Sequence, residues 1–162
     1  MKKKGIKNVV VASSTGETGA RAAKILEGIS TVVVTHHHGF ARVGEPELNT
    51  IFEKEILANG AKIFTGTHAL SSAERAIRKQ HGTLEPLERI AHTLRLMGEE
   101  TKVCVEVTLM AAEAGLIPMD QDIVAIGGTG NGADTALCIK PANAARLFDL
   151  RIREVVAKPS DF

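Results

Sequence analysis

The chain is 162 residues long, with 44% hydrophobic, 24% charged and 3% aromatic residues and a formal net charge of +1 at pH 7. That length suffices for a full core in one domain, and no compositional break suggests a second. The near-zero charge argues against a nucleic-acid binder, and the absence of Trp and Tyr leaves few stacking platforms for bases or sugars.

In chain order, Lys2-Lys3-Lys4-Gly5-Ile6 reads as a helix ending, with cations in the last turn and glycine just past it, although a few lysines equally suit a solvated terminus. Ile6 to Ala12 is interrupted by Lys7 and Asn8 and runs into polar residues, so neither a signal peptide nor a membrane span is read here and a cytoplasmic protein is expected. Asn8 to Ala12 predicts a buried parallel strand. The run then breaks into Ser13-Ser14-Thr15-Gly16-Glu17-Thr18 and resumes as a helix from about Glu17 to Glu27, closed by Gly28. Strand, tight turn and helix start together aim free backbone N–H groups, the positive end of the helix dipole and the hydroxyls of Ser13, Ser14, Thr15 and Thr18 at one point. Such a point suits a phosphate.

Thr31 to Thr35 predicts a second buried strand, which runs into His36-His37-His38-Gly39-Phe40 and a loop through Pro46. A helix from about Leu48 to Ala58 leads to a short strand, Ala61 to Phe64, and to the loop Thr67 to Ser72, where Ser71 or Ser72 caps a helix reaching about Lys79. Thr83 is a plausible cap for the next helix, with Pro86 in its first turn and Gly98 closing it. Thr101 to Gly115 begins like a β-branched strand. It is assigned to a helix on the stripe Val103, Val107, Met110 and Ala114 and on its glycine stop. Asp122 to Ile126 predicts a strand feeding a second glycine-rich loop, Gly127 to Gly132; Ala133 to Lys140 and Arg153 to Ala157 follow as strands, with a short helix or turn at Asn143 to Phe148. Alternating strands and helices specify a three-layer α/β/α domain with a largely parallel sheet. Cys104 and Cys138 are far apart, with neither a C-x-x-C nor a nearby histidine, and are read as ordinary buried thiols.

The stretch Val10 to Thr18 followed by Val32 to Thr35 resembles the opening of the C-terminal α/β domain of pyruvate kinase. Ala114 to Gly128, with Asp134-Thr135-Ala136 after it, is similar to that domain's later half. The stand-alone archaeal and bacterial proteins of pyruvate kinase α/β-domain-like type are more similar still, on Ser13-Ser14-Thr15-Gly16, His37-His38-Gly39-Phe40, the region from Ser72 to Arg75, and Gly132-Ala133-Asp134-Thr135-Ala136. The resemblance covers nearly the whole chain and implies a sheet ordered 3-2-1-4-5 with an additional or antiparallel edge strand. Its ligand crevice would lie where that order reverses. Some stand-alone relatives look like flavin mononucleotide (FMN) binders, and in some pyruvate kinases the domain is a regulatory site for a phosphosugar. Relatives carry a helix before the first strand; without it a sheet face would be left for another subunit to cover, which implies a homo-oligomer. Kinase activity is not implied.

The expected cofactor-binding residues are Ser13, Ser14, Thr15, Gly16, Glu17, Thr18, Thr35, His37, Gly39, Phe40, His68, Gly127, Gly128, Thr129, Gly130, Gly132, Asp134 and Thr135. Each has a blander reading. The first loop could be only a well-capped helix start, the second a plain turn, and Asp134 could hold its own loop's N–H groups instead of a ligand. Gly16→Val is expected to abolish binding with little loss of fold if the loop approaches a phosphate. The three histidines suggest a metal, but His36 and His38 face opposite to His37 along an extended stretch and no acidic partner has suitable spacing, so no metal is expected. Glu106, in an apolar stretch, is either a tuned acid or base or a structural partner for Arg75, Arg89 or a backbone N–H. The resulting expectation is a phosphorylated small molecule, FMN first and a sugar phosphate second. A flavin-dependent redox enzyme, a regulatory module without turnover and a phosphate-ester hydrolase or transferase all stay open.

Overall fold

The structure, a computed structural model, describes residues 5–161. Six strands form one sheet: β1 (Asn8–Ala12), β2 (Ser30–Thr35), β3 (Lys62–Thr65), β4 (Ile123–Gly127), β5 (Thr135–Lys140) and β6 (Arg151–Ala157), in the order β3-β2-β1-β4-β5-β6. The first four pair in parallel, whereas β5 is antiparallel to β4 and β6 to β5. The order 3-2-1-4-5 is therefore present, with β6 as the additional edge strand.

β1 is buried on both faces, which explains its unbroken valine run. Val10 points into a cluster with Cys104, Val107 and Met110, while Val9 and Val11 pack on the other face with Val124, Ala22 and Leu26. The second face carries α1 (Glu17–Ile25) and α2 (Thr50–Ala58), whose Ala20, Ala23 and Ile56 surround Val33. The first face carries α5 (Glu99–Glu113), with α3 (Ser72–His81) and α4 (Pro86–Leu94) forming the corner beyond it. α5 is buried almost all round: Cys104, Val107 and Met110 meet the sheet, and Val105 and Leu109 meet Leu70 and Ala91 on the other side. A helix enclosed in this way has no broad solvent-exposed face to set off its apolar positions, and that is why its sequence reads partly as a strand.

Several boundaries differ from the sequence reading for local reasons. α1 ends at Ile25, and β5 starts at Thr135 because Asp134 still belongs to the preceding loop. α2 starts at Thr50, with Asn49 accepting a hydrogen bond from Ile51 N at 2.8 Å. α4 is not capped by Thr83; Glu74 Oε2, reaching from α3, accepts from Leu87 N at 2.9 Å and Glu88 N at 3.2 Å. β6 begins two residues early, at Arg151, and contains register shifts that mask its alternation. The helix ending expected at Lys2 to Lys4 lies outside the described residues. Both cysteines are buried and neither is in a disulfide among the described residues, where no helix is long and apolar enough to cross a membrane.

Candidate functional site

The sheet order reverses between β1 and β4, where the chain leaves the two strands in opposite directions, β1 to β2 on one side and β4 to β5 on the other. A crevice opens there by necessity. It measures about 830 Å³ and runs between α1 and α5 over the carboxyl ends of the parallel strands. That volume is in the range of nucleotide-sized ligand sites.

Its centre is the loop after β1. Ser13, Ser14, Thr15, Glu17 and Thr18 line it. Ser13 Oγ turns inward and accepts from Gly19 N at 3.0 Å, tying the loop to α1, while the N–H groups of Glu17 and Thr18 begin the helix without intrahelical acceptors. Gly16 does not line the crevice. It sits at φ +97°, and an added Cβ would lie 2.7 Å from Leu48 Cδ1 and 2.8 Å from Phe52 Cβ. The expectation for Gly16→Val is thereby corrected: a side chain there collides with the segment leading into α2 and with α2 itself, so loss of fold would mask any loss of ligand.

One end of the crevice is built from β2 and β3. Thr35, Phe40 and His68 line it, joined by His36. Phe40 and His68 stack at 5.2 Å between centroids and 24° between planes, and His36 lies 3.8 Å from Phe40. Glu47 Oε2 stands 2.7 Å from His36 Nδ1, an acidic partner that a separation of eleven residues hides in the sequence. His37 backs this end without lining it; its Nδ1–H donates to its neighbour's carbonyl, His38 O, at 2.7 Å. Gly39, at φ +82°, turns the loop and donates from its N–H to Glu45 O at 3.0 Å.

The other end is the loop after β4. Gly128, Gly130 and Gly132 line the crevice. Thr129 and Asp134 brace that loop from behind: Thr129 N donates to Asp134 Oδ2 at 3.1 Å and Thr129 Oγ1 donates to Glu100 Oε2 at 2.9 Å. Asp134 thus takes the loop-holding role. Gly127 lies under α5, where an added Cβ would come 3.0 Å from Glu100 O, and Thr135 pairs with it across the sheet. The Thr135 Oγ1 is buried with no hydrogen-bond partner among the described residues.

Four cations that sequence reasoning did not select, Arg21, Arg75, Arg95 and Lys102, also line the crevice. Arg75 lies over the Phe40 ring at 5.3 Å, and Arg95 pairs with Glu99. Lys102 is buried on the floor and pairs with Glu106 one helical turn on, while Glu106 Oε1 accepts from Leu70 N at 2.9 Å. The backbone partner foreseen for Glu106 is present; its charged partner is Lys102, not Arg75 or Arg89. The i,i+4 spacing of Lys102 and Glu106 was the available signal. His68 Nδ1 lies 3.8 Å from Glu106 Oε2. Burial holds the His68 imidazole down at about 4 against the upward pull of Glu106, so at neutral pH it is an uncharged ring. Burial, with Asp134 and Glu100 adding to it, pushes the Cys104 thiol up to about 12.

The arrangement offers N–H groups, hydroxyls and cations to an anion, and stacked rings and the apolar side chains Val103, Val107, Met110 and Ile126 to the rest of a ligand. Among the described residues no group of three His, Cys, Asp or Glu side chains is disposed to hold a metal. The family model described as pyruvate kinase, alpha/beta domain, matches residues 1–139.

Proposed function

The chain belongs to the pyruvate kinase α/β-domain family, and on that premise we propose that it binds a phosphorylated small molecule, FMN, in the crevice at the β1–β4 switch point. The observation that carries the reading is the start of α1: hydroxyls and N–H groups without intrahelical acceptors open onto a crevice that also holds Arg21, Arg75, Arg95 and Lys102. The residues fit FMN. The Ser13 to Thr18 loop would take the phosphate, the stacked Phe40 and His68 rings would support a planar ring, and Val103, Val107 and Met110 would keep water from one side of it. When bound, the flavin would supply electron transfer. Neutral His68 and the Lys102–Glu106 pair would orient its polar edge without adding net charge to the floor.

A phosphosugar-responsive module without turnover is the second reading. Phe40 is the only Phe, Trp or Tyr lining the crevice among the described residues, a modest aromatic supply for a flavin. In either case the protein would act in the cytoplasm, supported by its buried thiols, and as a homo-oligomer, supported by the family resemblance.

A visible absorbance spectrum of freshly purified protein, followed by titration with FMN and with riboflavin, tests the proposal. The expected result is saturable FMN binding, with riboflavin weaker by roughly 10- to 100-fold for want of the phosphate contacts. Ser14→Asp should remove that preference by placing a carboxylate where the phosphate sits. A colourless protein indifferent to both compounds overturns the flavin reading, and equal affinity for the two overturns the phosphate loop.

A further inference from the structure

A second cavity, of about 490 Å³, lies at the opposite end of the sheet. β5 runs antiparallel to β4, with Thr135 opposite Gly127 at the crevice end and Ile139 opposite Ile123 at the other. Lys140 therefore emerges far from the crevice, and there it pairs directly across the strands with Arg151. Like charges so placed repel. The register then skips: Ile139 faces Ile152 and Cys138 faces Glu154, leaving Arg153 as an inserted residue. A bulge of this kind re-aims a side chain, and Arg153 lines the same cavity as Lys140, Arg151 and Arg146.

The compensation is incomplete. Asp149 Oδ2 accepts from Arg146 Nε at 2.6 Å, and Asp122 Oδ1 lies 3.6 Å from Arg153 Nε. Arg151 donates only to the Phe148 and Leu150 carbonyls, and Lys140 Nζ has no partner among the described residues. Four cations thus face two carboxylates at one place in a chain whose formal net charge is +1. Arginine forks and a lysine point charge around one concavity match the oxygens of a phosphoryl group.

We propose that this cavity is a second ligand site, specific for a small, multiply charged anion such as the phosphoryl group of a metabolite, held by Lys140, Arg151 and Arg153. It stands apart from the crevice and from any ligand bound there. Lys140, Arg151 and Arg153 are exposed, so neutral substitutions there remove charge without opening the core.

The test is an amide-resolved nuclear magnetic resonance titration of the full chain with pyrophosphate. Saturable shifts are expected at Ala142, Asn143 and Ile152, separable from any at Ser14 to Thr18. Lys140→Gln combined with Arg151→Gln should weaken the first set by about tenfold or more and leave the second unchanged. Lys140→Gln alone, which touches no hydrogen bond among the described residues, should give a smaller loss in the same direction. Shifts confined to the crevice, shifts that never saturate, as an adventitious ion only would give, or shifts indifferent to both variants overturn the proposal.

Discussion

Lys102→Met on the crevice floor removes the cation that balances Glu106. The two side chains are 4% and 5% exposed, so either one left alone is a charge with almost no water around it. At a separation of about 3 Å and an effective dielectric of about 20, the pair attracts by roughly 5 kcal/mol. Desolvating two ions, at several kcal/mol each, cancels most of that gain. The intact pair therefore contributes little net stability, yet breaking it from one side costs about 3–5 kcal/mol. Glu106→Leu leaves Lys102 alone and also strips the buried Leu70 N–H of its acceptor, adding about 1–3 kcal/mol. The double variant carries no stranded charge and should be more stable than the sum of the two single effects by at least about 2 kcal/mol. Urea unfolding of the parent, both singles and the double closes the cycle. Additive losses, or single losses under about 1 kcal/mol, refute the reading of a desolvated pair.

Two further outcomes follow from the same geometry. His68 titrates at about 4 in the fold against an ordinary 6.5, so the unfolded chain binds the extra proton between those values. Stability is then full above pH 6.5 and declines toward pH 4, by up to about 1.4 kcal/mol per pH unit; urea midpoints across that window should show the decline, and His68→Gln should flatten it. Gly19→Ala would set a Cβ 2.5 Å from Val33 Cγ1 and 3.2 Å from Ile56 Cδ1, so thermal unfolding should report a loss of about 1–3 kcal/mol, and an unchanged midpoint would contradict the tight α1–β2 contact.

The strands and the switch point were legible because each rests on local signals. Valine runs marked β1 and β2, and the loop after β1 carried its own hydroxyls. The family resemblance supplied the strand order, which no periodicity contains. α5 was harder: the stripe through Val103, Val107 and Met110 is present, but the apolar residues on the opposite side, Val105 and Leu109, blur it. β6 was shortened in the reading because the bulge at Arg153 breaks its alternation. Within the site, loop residues were identifiable by type, whereas no local signal placed Arg21, Arg95 or Lys102 in the crevice and Arg75 was weighed only as a partner for Glu106. Only folding shows that four separate positions face one crevice. The histidine triplet illustrates the same limit: His36 lines the crevice and His37 backs it, a choice set by the turn at Gly39 and by Glu47 from a distant part of the loop.

The enclosure of α5 divides the crevice into walls of unequal mutability. Lys102, Val103, Glu106 and Val107 look onto the crevice from a helix whose other sides hold the sheet and α4 together, so altering what they present also disturbs the packing that keeps the chain folded. The loops around Phe40 and Gly130 carry no such double duty. If the crevice binds a ligand as proposed, its selectivity would change along the loop rims, by insertion and exchange, while the floor stays fixed. Laboratory evolution toward a new ligand would collect its changes in residues 36–46 and 128–134 and leave 102–107 nearly untouched.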